Sequence, residues 1–289
     1  MFGPNTCFTD TVVTNYCHRD MEFFKKYRYV LDLFSEKFNL KNYDIFFIPG
    51  SGTVGIETVI SSCRAPINMI GHDGTFTRRW SEMSSAYAKE STQPENMFCL
   101  LETSVSKHFS KNNCIVDAIS GFPYYDIPKE TKVFITCLNK QLGSYVGVSV
   151  IGVRKDCWDM FDNNKMSYLN IFRYKHALEE NQTPSTFPTY ILDHFLKVLT
   201  YMDVDNLRRK IKSVSSDIVD VVGTENVLGE TVCPVITIPK NRISKDIAIK
   251  YELYGINTNR PNYQIFTYSE DYSRYDSFIR DMLKCEKGV

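Results

Sequence analysis

Short apolar runs alternate along the chain with longer stretches in which apolar and polar positions recur at helical spacing. The apolar runs predict buried strands at YDIFFIPG, INMIG, MFCLL, NCIVDAI, KVFITC and GVSVIGV. The stretches between them have helical periodicity, as in MEFFKKYRYVLDLFSEKF, GIETVISSC and RRWSEMSSAYAKE. This alternation predicts an α/β domain with a mainly parallel sheet and helices on both faces. In such sheets, ligands bind at the carboxyl ends of the strands.

A different pattern begins after about residue 186. The helical stretch FPTYILDHFLKVLTYMD leads out of the first domain. The remaining sequence predicts a strand, a helix, a strand and a helix at TVCPVITIPK, DIAIKYELYG, YQIFTYS and YDSFIRDML. We therefore predict a large domain over residues 1–200 and a small α+β domain over residues 201–289, with the N-terminal segment as a candidate to pack on the small domain.

Charge and cysteine content narrow the class of protein. Lys and Arg total 34 and so do Asp and Glu, so no chain-wide field attracts nucleic acid or an anionic membrane. The local basic stretch NLRRKIK is interpreted as the solvated face of a helix. No apolar run reaches the ~20 residues of a membrane span. The 9 cysteines contain no CxxC pair, which predicts reduced core thiols, no metal site and a cytoplasmic protein.

Three strand ends carry polar groups of interest. After the first strand, Ser51, Gly52 and Thr53 form a turn that enters a helix, and helix N-termini bind anions. The alternative is a plain strand–turn–helix connection, because the turn lacks the lysine of a P-loop and the GxGxxG spacing. Asp117 ends a later strand, where it is either a ligand-binding carboxylate or the N-cap of a following helix.

Lys140 follows the run KVFITC, where the default expectation is a lysine with its charge in water. A phosphate-binding turn, a carboxylate and a lysine at three neighbouring strand ends fit pyridoxal 5′-phosphate. The lysine forms an imine with the aldehyde, the carboxylate keeps the pyridine nitrogen protonated, and the turn holds the phosphate.

The same residues lie within a series of motifs that resembles the class V aminotransferase family of pyridoxal-phosphate enzymes. The motifs occur in the family's order: FGPNT, HRDMEF, GSGTVGIE, GTFTRRWSEMS, LETSVS, VDAIS, LNKQLG and TPSTFPTYILDHFL. They cover most of residues 3–195. The resemblance implies a pyridoxal-phosphate-dependent transferase fold.

The resemblance also implies roles for single residues. Lys140 is expected to form the covalent link to the cofactor, and Asp117 to pair with its pyridine nitrogen. The cofactor is expected to contact Thr103 and the ring of Phe76. The alternative for Phe76 is a core phenylalanine. Its phosphate is expected to bind Ser51, Gly52, Thr53 and Asn139, together with Thr186 of a neighbouring subunit, which implies a homodimer. Gly3 lies in the family's opening Gly-Pro segment and is a candidate for substrate binding.

The match weakens near the C-terminus. The family has an arginine there that binds the substrate α-carboxylate, whereas this chain has NYQIFTYSED, with Gln264 near the expected position. Arg260 is the nearest guanidinium in sequence. Glutamine lacks the charge and the bidentate geometry of arginine. Either Arg260 takes over the carboxylate or the substrate is held in another way.

We consider three functions. The leading prediction is an enzyme that acts on a primary amine or amino acid, as an aminotransferase. The alternative is a decarboxylase or lyase with the same cofactor, whose amino-acid substrate is attached to something larger, such as a modified base in DNA. The third is a binding module that keeps the fold without catalysis. A protein that never takes up the cofactor would favour the third.

Overall fold

The computed structural model describes residue 17 and residues 19–87, 93–164, 166–182 and 188–286. The α-helices are α1 (Met21–Lys37), α2 (Gly52–Ser62), α3 (Thr75–Ala86), α4 (Ile171–Glu179), α5 (Thr189–Tyr201), α6 (Val204–Val222), α7 (Lys245–Lys250) and α8 (Tyr272–Glu286). The strands are β1 (Tyr43–Pro49), β2 (Ile67–Met69), β3 (Glu95–Cys99), β4 (Leu101–Glu102), β5 (Lys107–His108), β6 (Ile115–Asp117), β7 (Val133–Cys137), β8 (Val148–Arg154), β9 (Val235–Pro239) and β10 (Asn262–Phe266). Short 3-10 helices span Trp158–Met160, Thr224–Asn226 and Lys240–Arg242.

The central sheet has the strand order β1-β8-β7-β6-β3-β2. The pairs β2–β3, β3–β6 and β6–β7 are parallel, which confirms the prediction of a mainly parallel sheet. Strand β8 runs antiparallel to both of its neighbours. The segment 138–147 between β7 and β8 is too short for a crossover helix, so the chain must turn back. That segment carries Lys140 and therefore stays at the edge where β7 ends.

The carboxyl edge of the sheet collects the strand ends that the sequence indicated. Strands β1, β3, β6 and β7 end there at Pro49, Cys99, Asp117 and Cys137. In the parallel β3–β6 pair, Cys99 is in register with Asp117. Strand β8 begins beside two of these ends, with Val148 opposite Pro49 and Ser149 opposite Cys137.

Helix α1 shows why the apolar spacing predicted the large core correctly. Its buried residues recur at helical spacing and line one face, at Phe23, Tyr27, Val30, Leu31 and Phe34. The ring of Phe34 lies 6.4 Å from that of Phe47 in β1 and 6.0 Å from that of Phe195 in α5. Burying each such ring contributes about 1.5–3 kcal/mol. Helix α1 thus joins the sheet to α5, the long helix predicted from residue 187 onward.

The C-terminal part has a core of its own. Helices α6 and α8 pack on the antiparallel pair β9–β10 through residues that include Ile218, Ile236, Ile265 and Phe278. A smaller cluster of buried residues, Leu101, Ile211, Val235, Phe266 and Tyr268, connects this core to the hairpin β4–β5. The predicted order of strand, helix, strand and helix matches β9, α7, β10 and α8. The domain boundary at residue 200 stays a prediction.

Two residues of the basic stretch NLRRKIK on α6 do not lie on a solvated face, contrary to the prediction. Lys210 is buried, with 7% of its surface exposed. Arg208 donates hydrogen bonds to the carbonyls of Pro123, at 3.0 Å, and Tyr124, at 3.2 Å. These two cations hold α6 against neighbouring segments, while Arg209 and Lys212 are exposed. The interpretation was wrong for Arg208 and Lys210 because the pattern of charges does not say which face of an amphipathic helix packs.

The remaining compositional predictions concern cysteines, metals and membranes. The 7 cysteines whose side chains the structure describes are free thiols. The described residues contain no group of His, Cys, Asp and Glu side chains arranged to hold a metal ion. Among the helices in the described ranges, none combines the length and the apolar character required to cross a membrane.

Candidate active site

The turn before α2 meets the Lys140 segment directly. The N–H of Gly50 donates to the carbonyl of Gly147 at 2.7 Å. Gly50 has φ of +133°, a conformation that favours glycine. Ser51 is the N-cap of α2, and its side chain makes no capping hydrogen bond. The first helical hydrogen bond is the one that the N–H of Val54 donates to the carbonyl of Ser51 at 2.8 Å. The N–H groups of Gly52 and Thr53 precede it, and the helix dipole favours an anion there.

Gly52 explains how α2 comes so close to the strand end that carries Asp117. A Cβ atom at Gly52 would lie 2.6 Å from Cδ1 of Ile119, a distance that real Cβ atoms do not adopt. A larger residue here would require the Ile119 side chain to move. Gly52 is buried and Thr53 is half-buried, while Ser51 is exposed. The predicted phosphate-binding turn and the residues after Asp117 are consequently in contact.

Asp117 is buried, with 7% of its surface exposed, and has specific hydrogen-bond partners. Its Oδ2 accepts from Nε1 of Trp80 at 2.7 Å, and its Oδ1 accepts from the N–H of Ile119 at 3.0 Å. No helix occurs between β6 and β7, so Asp117 does not have the alternative role of a helix N-cap. The Cys99 thiol also donates to Oδ2, at 3.6 Å. A carboxylate has about four acceptor positions, and these three bonds leave room for another donor.

Burial raises the pKa of Asp117 to about 6, although the bonds from Ile119 and Trp80 act in the opposite direction. The nearby carboxylate of Glu102 raises it further. A buried carboxylate with no cationic partner holds its negative charge at a cost. A protonated ring nitrogen placed at this carboxylate would stabilise the charged form.

Helix α3 is held over Asp117 by Glu102. The carboxylate of Glu102 accepts from the N–H groups of Phe76, at 3.2 Å, and Thr77, at 2.9 Å, in the first turn of α3. A Cβ atom at Gly74 would lie 2.2 Å from Cδ of Glu102, so glycine is required for this contact. One turn along the helix, the ring of Trp80 lies 6.0 Å from that of Phe76. This arrangement positions Phe76, half-buried, beside the tryptophan that binds Asp117.

Lys140 is half-buried, which differs from the default expectation for a surface lysine. Its Nζ lies 5.5 Å from the centre of the Phe266 ring, at the end of β10. Burial lowers the pKa of Lys140, while Cys137 and Asp117 act in the opposite direction. The Cys137 thiol has its own pKa raised by burial to about 11, so it is not a counter-charge at neutral pH. At a given pH, a larger fraction of Lys140 is therefore in the neutral amine form than of an exposed lysine.

Gln141 fixes the segment that carries Lys140 to the residues that follow Asp117. Its Oε1 accepts from the N–H of Tyr124 at 3.0 Å, and its Nε2 donates to the carbonyl of Ser120 at 2.6 Å. Gln141 has 3% of its surface exposed, and Asn139, on the other side of Lys140, has 7% exposed. These contacts set the position of Lys140 relative to the Asp117 strand end.

The opposite side of the site consists of polar atoms that bind one another. Thr237 Oγ1 donates to the carbonyl of Thr103 at 2.7 Å, and Ser106 Oγ donates to Thr237 Oγ1 at 2.7 Å. The Nε2 of Gln264 donates to the same Thr103 carbonyl. Gln264 is buried, with 6% of its surface exposed. The structure therefore places Gln264 in an internal hydrogen-bond network.

Arg260 is connected to the site through aromatic rings. Its guanidinium carbon lies 5.4 Å from the centre of the Tyr254 ring, and Nη1 donates to the Tyr254 hydroxyl at 3.3 Å. The ring of Tyr254 in turn packs edge-on against Phe266 at 5.7 Å between centres. Phe266 is the ring that Lys140 contacts. Arg260 is half-buried and approaches the site on the side of β10.

The structure brings together most of the residues that the sequence indicated. Gly3 and Thr186 lie outside the described residues. Sequence reasoning missed Trp80, Glu102 and Gln141, although all three are within the quoted motifs. Spacing offered a signal for Trp80 alone, because residues four apart on a helix lie on one face. The bonds of Glu102 and Gln141 join segments that are distant in sequence.

No protein-family model matches the chain, and no curated protein matches it. Solved structures, in contrast, do match the chain. An aspartate aminotransferase from Thermus thermophilus superposes with a TM-score of 0.78 at 14% identity, over 98% of this chain and 97% of that one. A phosphoserine aminotransferase from Cytophaga hutchinsonii gives 0.75 at 18% identity, over 93% and 90%.

A third similar structure, a phosphoserine aminotransferase from Trichomonas vaginalis with bound pyridoxal phosphate, gives a TM-score of 0.71 at 12% identity, over 93% of this chain and 90% of that one. These identities are low, whereas the superpositions cover nearly the whole of each chain. The fold predicted from the motifs is thereby confirmed. The chain has the fold of the pyridoxal-phosphate-dependent aminotransferases to which these structures belong.

Proposed function

We propose that this protein is a pyridoxal-phosphate-dependent enzyme that acts on a primary amine or amino acid, and that its reaction is amino transfer. The observation that carries the proposal is the meeting of three groups at one sheet edge. The helix N-terminus at Gly52, the buried carboxylate of Asp117 and the half-buried amine of Lys140 come from separate segments, yet direct contacts connect those segments.

The donor set fits the cofactor. When bound, pyridoxal phosphate supplies an aldehyde for an amine and a ring that accepts electrons. The N–H groups at the start of α2, with Ser51 and Thr53, suit the phosphate. Asp117 suits the ring nitrogen, because burial raises its pKa to about 6 and a positive charge at the carboxylate would stabilise its ionised form. Phe76 suits the face of the ring.

Lys140 has two tasks in this proposal. Its amine would hold the cofactor through the aldehyde that the cofactor supplies. It would also be the base that takes the proton from the substrate Cα. A base works best when its pKa lies near the working pH, and burial lowers the pKa of Lys140 in that direction.

Arg260 is our candidate for the substrate carboxylate. Its guanidinium rests on Tyr254, which contacts the ring beside Lys140. An arginine there supplies the charge and the paired donors that Gln264 lacks. Gly3 stays a candidate on the resemblance alone.

We also propose a homodimer in a reducing, cytoplasmic compartment. The dimer rests on the family resemblance at Thr186, and the compartment on the free thiols. Sedimentation of the purified protein tests the dimer, and Thr186→Ala is expected to weaken the binding of cofactor phosphate from across the interface.

A decarboxylase or lyase is the second candidate. Gln264 favours it, because its amide is used within the protein and does not clamp a carboxylate. A substrate carboxylate that no arginine holds would be free to leave as carbon dioxide, and the cofactor would supply the ring that accepts the electrons. An amino acid attached to a modified DNA base is one example of such a substrate.

One assay distinguishes the functions. The protein is loaded with pyridoxal phosphate and incubated with a panel of amino acids, with and without a keto acid. Amino transfer that depends on the keto acid supports the first candidate, and release of carbon dioxide without a keto acid supports the second. A protein that does not take up the cofactor would instead be a binding module.

A further inference from the structure

A cavity of about 390 Å³ lies behind the segment that carries Lys140. Residues 141–143 form one wall, and the adjoining parts of α5 and α6 form a second. Tyr268, Glu270 and Tyr272, which follow β10, form the third. A volume of this size is within the range of small-molecule sites, about 300–1,000 Å³. Asp117 and Phe76 do not line the cavity, so it is distinct from the proposed cofactor site.

Lys210 is the unusual group in this cavity. Its side chain is 4% exposed, and its Nζ lies 3.0 Å from Oε2 of Glu270. The same nitrogen lies 4.2 Å from the centre of the Tyr272 ring. Apart from this ion pair, Nζ has no hydrogen-bond partner among the described residues. An ammonium has three donors, and leaving two of them unsatisfied in a buried position is costly, so such a group in a native protein calls for a further partner.

Glu270 balances the positive charge of Lys210 but does not satisfy all three donors of its ammonium group. Its side chain is 52% exposed, so it can turn into water when a better acceptor enters. The other acid in the cavity lining, Asp203, is exposed at the start of α6, where its Oδ1 accepts from the N–H of Asn206 at 2.9 Å. The exposed Lys197 adds a second positive charge to the lining. The charge inside the cavity therefore favours an anion, with the acids at its rim.

The rest of the lining is aromatic and apolar. Tyr201 and Tyr272 are 83% and 46% exposed, which is high for large aromatic side chains. Leu207 and Val198 also line the cavity. Aromatic rings bury apolar area while their hydroxyls reach water. A ligand with an aromatic body and an anionic group fits this combination.

We propose that the cavity binds a small aromatic carboxylate, with its carboxylate on Lys210 in place of Glu270 and its ring between Tyr201 and Tyr272. The carboxylate provides the acceptors that Lys210 lacks, and the ring covers the exposed tyrosines. This site is separate from the proposed catalytic function and does not depend on it.

The test is calorimetric titration of the full chain with benzoate, with benzamide as the neutral twin. We expect benzoate to bind at least tenfold more tightly than benzamide, since only the carboxylate pairs with an ammonium. Lys210→Met keeps the length of the side chain and removes the charge, and is expected to weaken benzoate binding at least tenfold. Lys212→Met, an exposed lysine on the same helix, is the matched control and is expected to leave binding unchanged.

Glu270→Gln provides an independent arm that keeps Lys210 in place. Removal of the competing carboxylate is expected to tighten benzoate binding severalfold. The proposal is overturned if benzoate does not bind, if it binds equally well to folded Lys210→Met, or if Glu270→Gln weakens it. Binding at the proposed catalytic site would be unaffected by both substitutions and is therefore distinguished.

Discussion

Two sides of the candidate site differ in what their polar atoms bind. On the sheet side, Asp117 accepts three hydrogen bonds, from Trp80, Ile119 and the Cys99 thiol, and keeps an acceptor position for another donor. On the side of the β9–β10 pair, the polar atoms of Thr237 and Gln264 are both directed at the carbonyl of Thr103. The first side has groups prepared for a ligand, whereas the second uses the equivalent groups to hold the protein together.

Under the proposed function, this difference would separate the binding of the cofactor from the recognition of the substrate. The sheet side offers the groups proposed for pyridoxal phosphate. On the strand-pair side, Gln264 stands where the resembled family has an arginine, and its amide binds within the protein. Substitutions on the two sides should therefore have different effects.

The largest expected effect follows from Lys140→Ala. Under the proposed function, the variant would lack both the group that holds the cofactor aldehyde and the base for the substrate Cα. Turnover is expected to fall by about 10⁴-fold. The measurement is steady-state amino transfer with the best amino acid of the panel.

Lys132→Ala is the matched control for that substitution. Lys132 immediately precedes β7, the strand that Lys140 follows, and pairs with Glu95 at 2.7 Å. A partly exposed pair of this kind is worth about 1 kcal/mol or less, so turnover should not change. Equal losses in the two variants would contradict a specific role for Lys140.

The second prediction concerns the stability of the cofactor-free protein as pH changes. The pKa of Asp117 is about 6 in the folded protein, above its ordinary value of 3.8. The folded state therefore binds the proton more tightly than the unfolded state does, and the resulting stability is present at pH 4 and lost as pH rises through 6. The free energy of unfolding should fall by about 3 kcal/mol through this group.

Urea unfolding of the wild type and of Asp117→Asn between pH 4 and pH 7.5 checks this sign. The asparagine variant does not titrate at this position, so the difference between the two proteins should follow the Asp117 contribution. Parallel curves would mean that Asp117 is not a buried carboxylate awaiting a cation. The same substitution is expected to weaken the cofactor because the ring nitrogen loses its partner.

Trp80→Phe is expected to have a smaller effect on the sheet side. It removes the donor that lies 2.7 Å from Asp117 while retaining an aromatic ring. Hydrogen bonds to charged groups are worth about 1.5–3 kcal/mol, so affinity for pyridoxal phosphate should fall at least ~10-fold. Absorbance titration of the cofactor measures this.

Trp158→Phe offers a closely matched control. Trp158 donates to a carboxylate oxygen of Asp44 at 2.7 Å, far from the site at the start of β1. Loss of the hydrogen bond from Trp158 should lower the free energy of unfolding by about 1.5–3 kcal/mol. The affinity for pyridoxal phosphate should not change. If the two variants bind the cofactor equally, the bond from Trp80 to Asp117 does not prepare the site.

The smallest expected effects distinguish the residues of the strand-pair side. Arg260→Gln should raise KM for an amino acid about 10-fold with little change in kcat, because it removes a binding group. Gln264→Leu should leave KM unchanged and lower the free energy of unfolding by about 1–3 kcal/mol, because the buried Thr103 carbonyl loses a donor. A reversal, with KM responding to Gln264 instead, would contradict the structural role assigned to it.

The fold was predictable where the sequence periodicity reports burial. Strands such as β1 and β7 are buried on both faces, so they appear as continuous apolar runs. The reversed direction of β8 was not predicted, because strand direction depends on the length of the connection and not on the apolar pattern. Helix α6 was only partly anticipated, since its basic residues concealed the face that packs.

The site was predictable at strand ends and obscure elsewhere. Asp117 and Lys140 each end an apolar run, which marks the edge where ligands bind. Glu102 and Gln141 act through bonds to residues 17–26 positions away, and no local pattern indicates such partners. The structural role of Gln264 likewise depends on a carbonyl in a distant segment.

The most direct test of the account is to locate the lysine that binds the cofactor. The protein is incubated with pyridoxal phosphate, reduced with borohydride, digested, and analysed by mass spectrometry of its peptides. The account predicts a single phosphopyridoxyl group on Lys140, together with a visible absorption band before reduction that Lys140→Ala lacks. A protein that stays colourless, or one labelled mainly at other lysines, would contradict the central claim that this sheet edge is a pyridoxal-phosphate site.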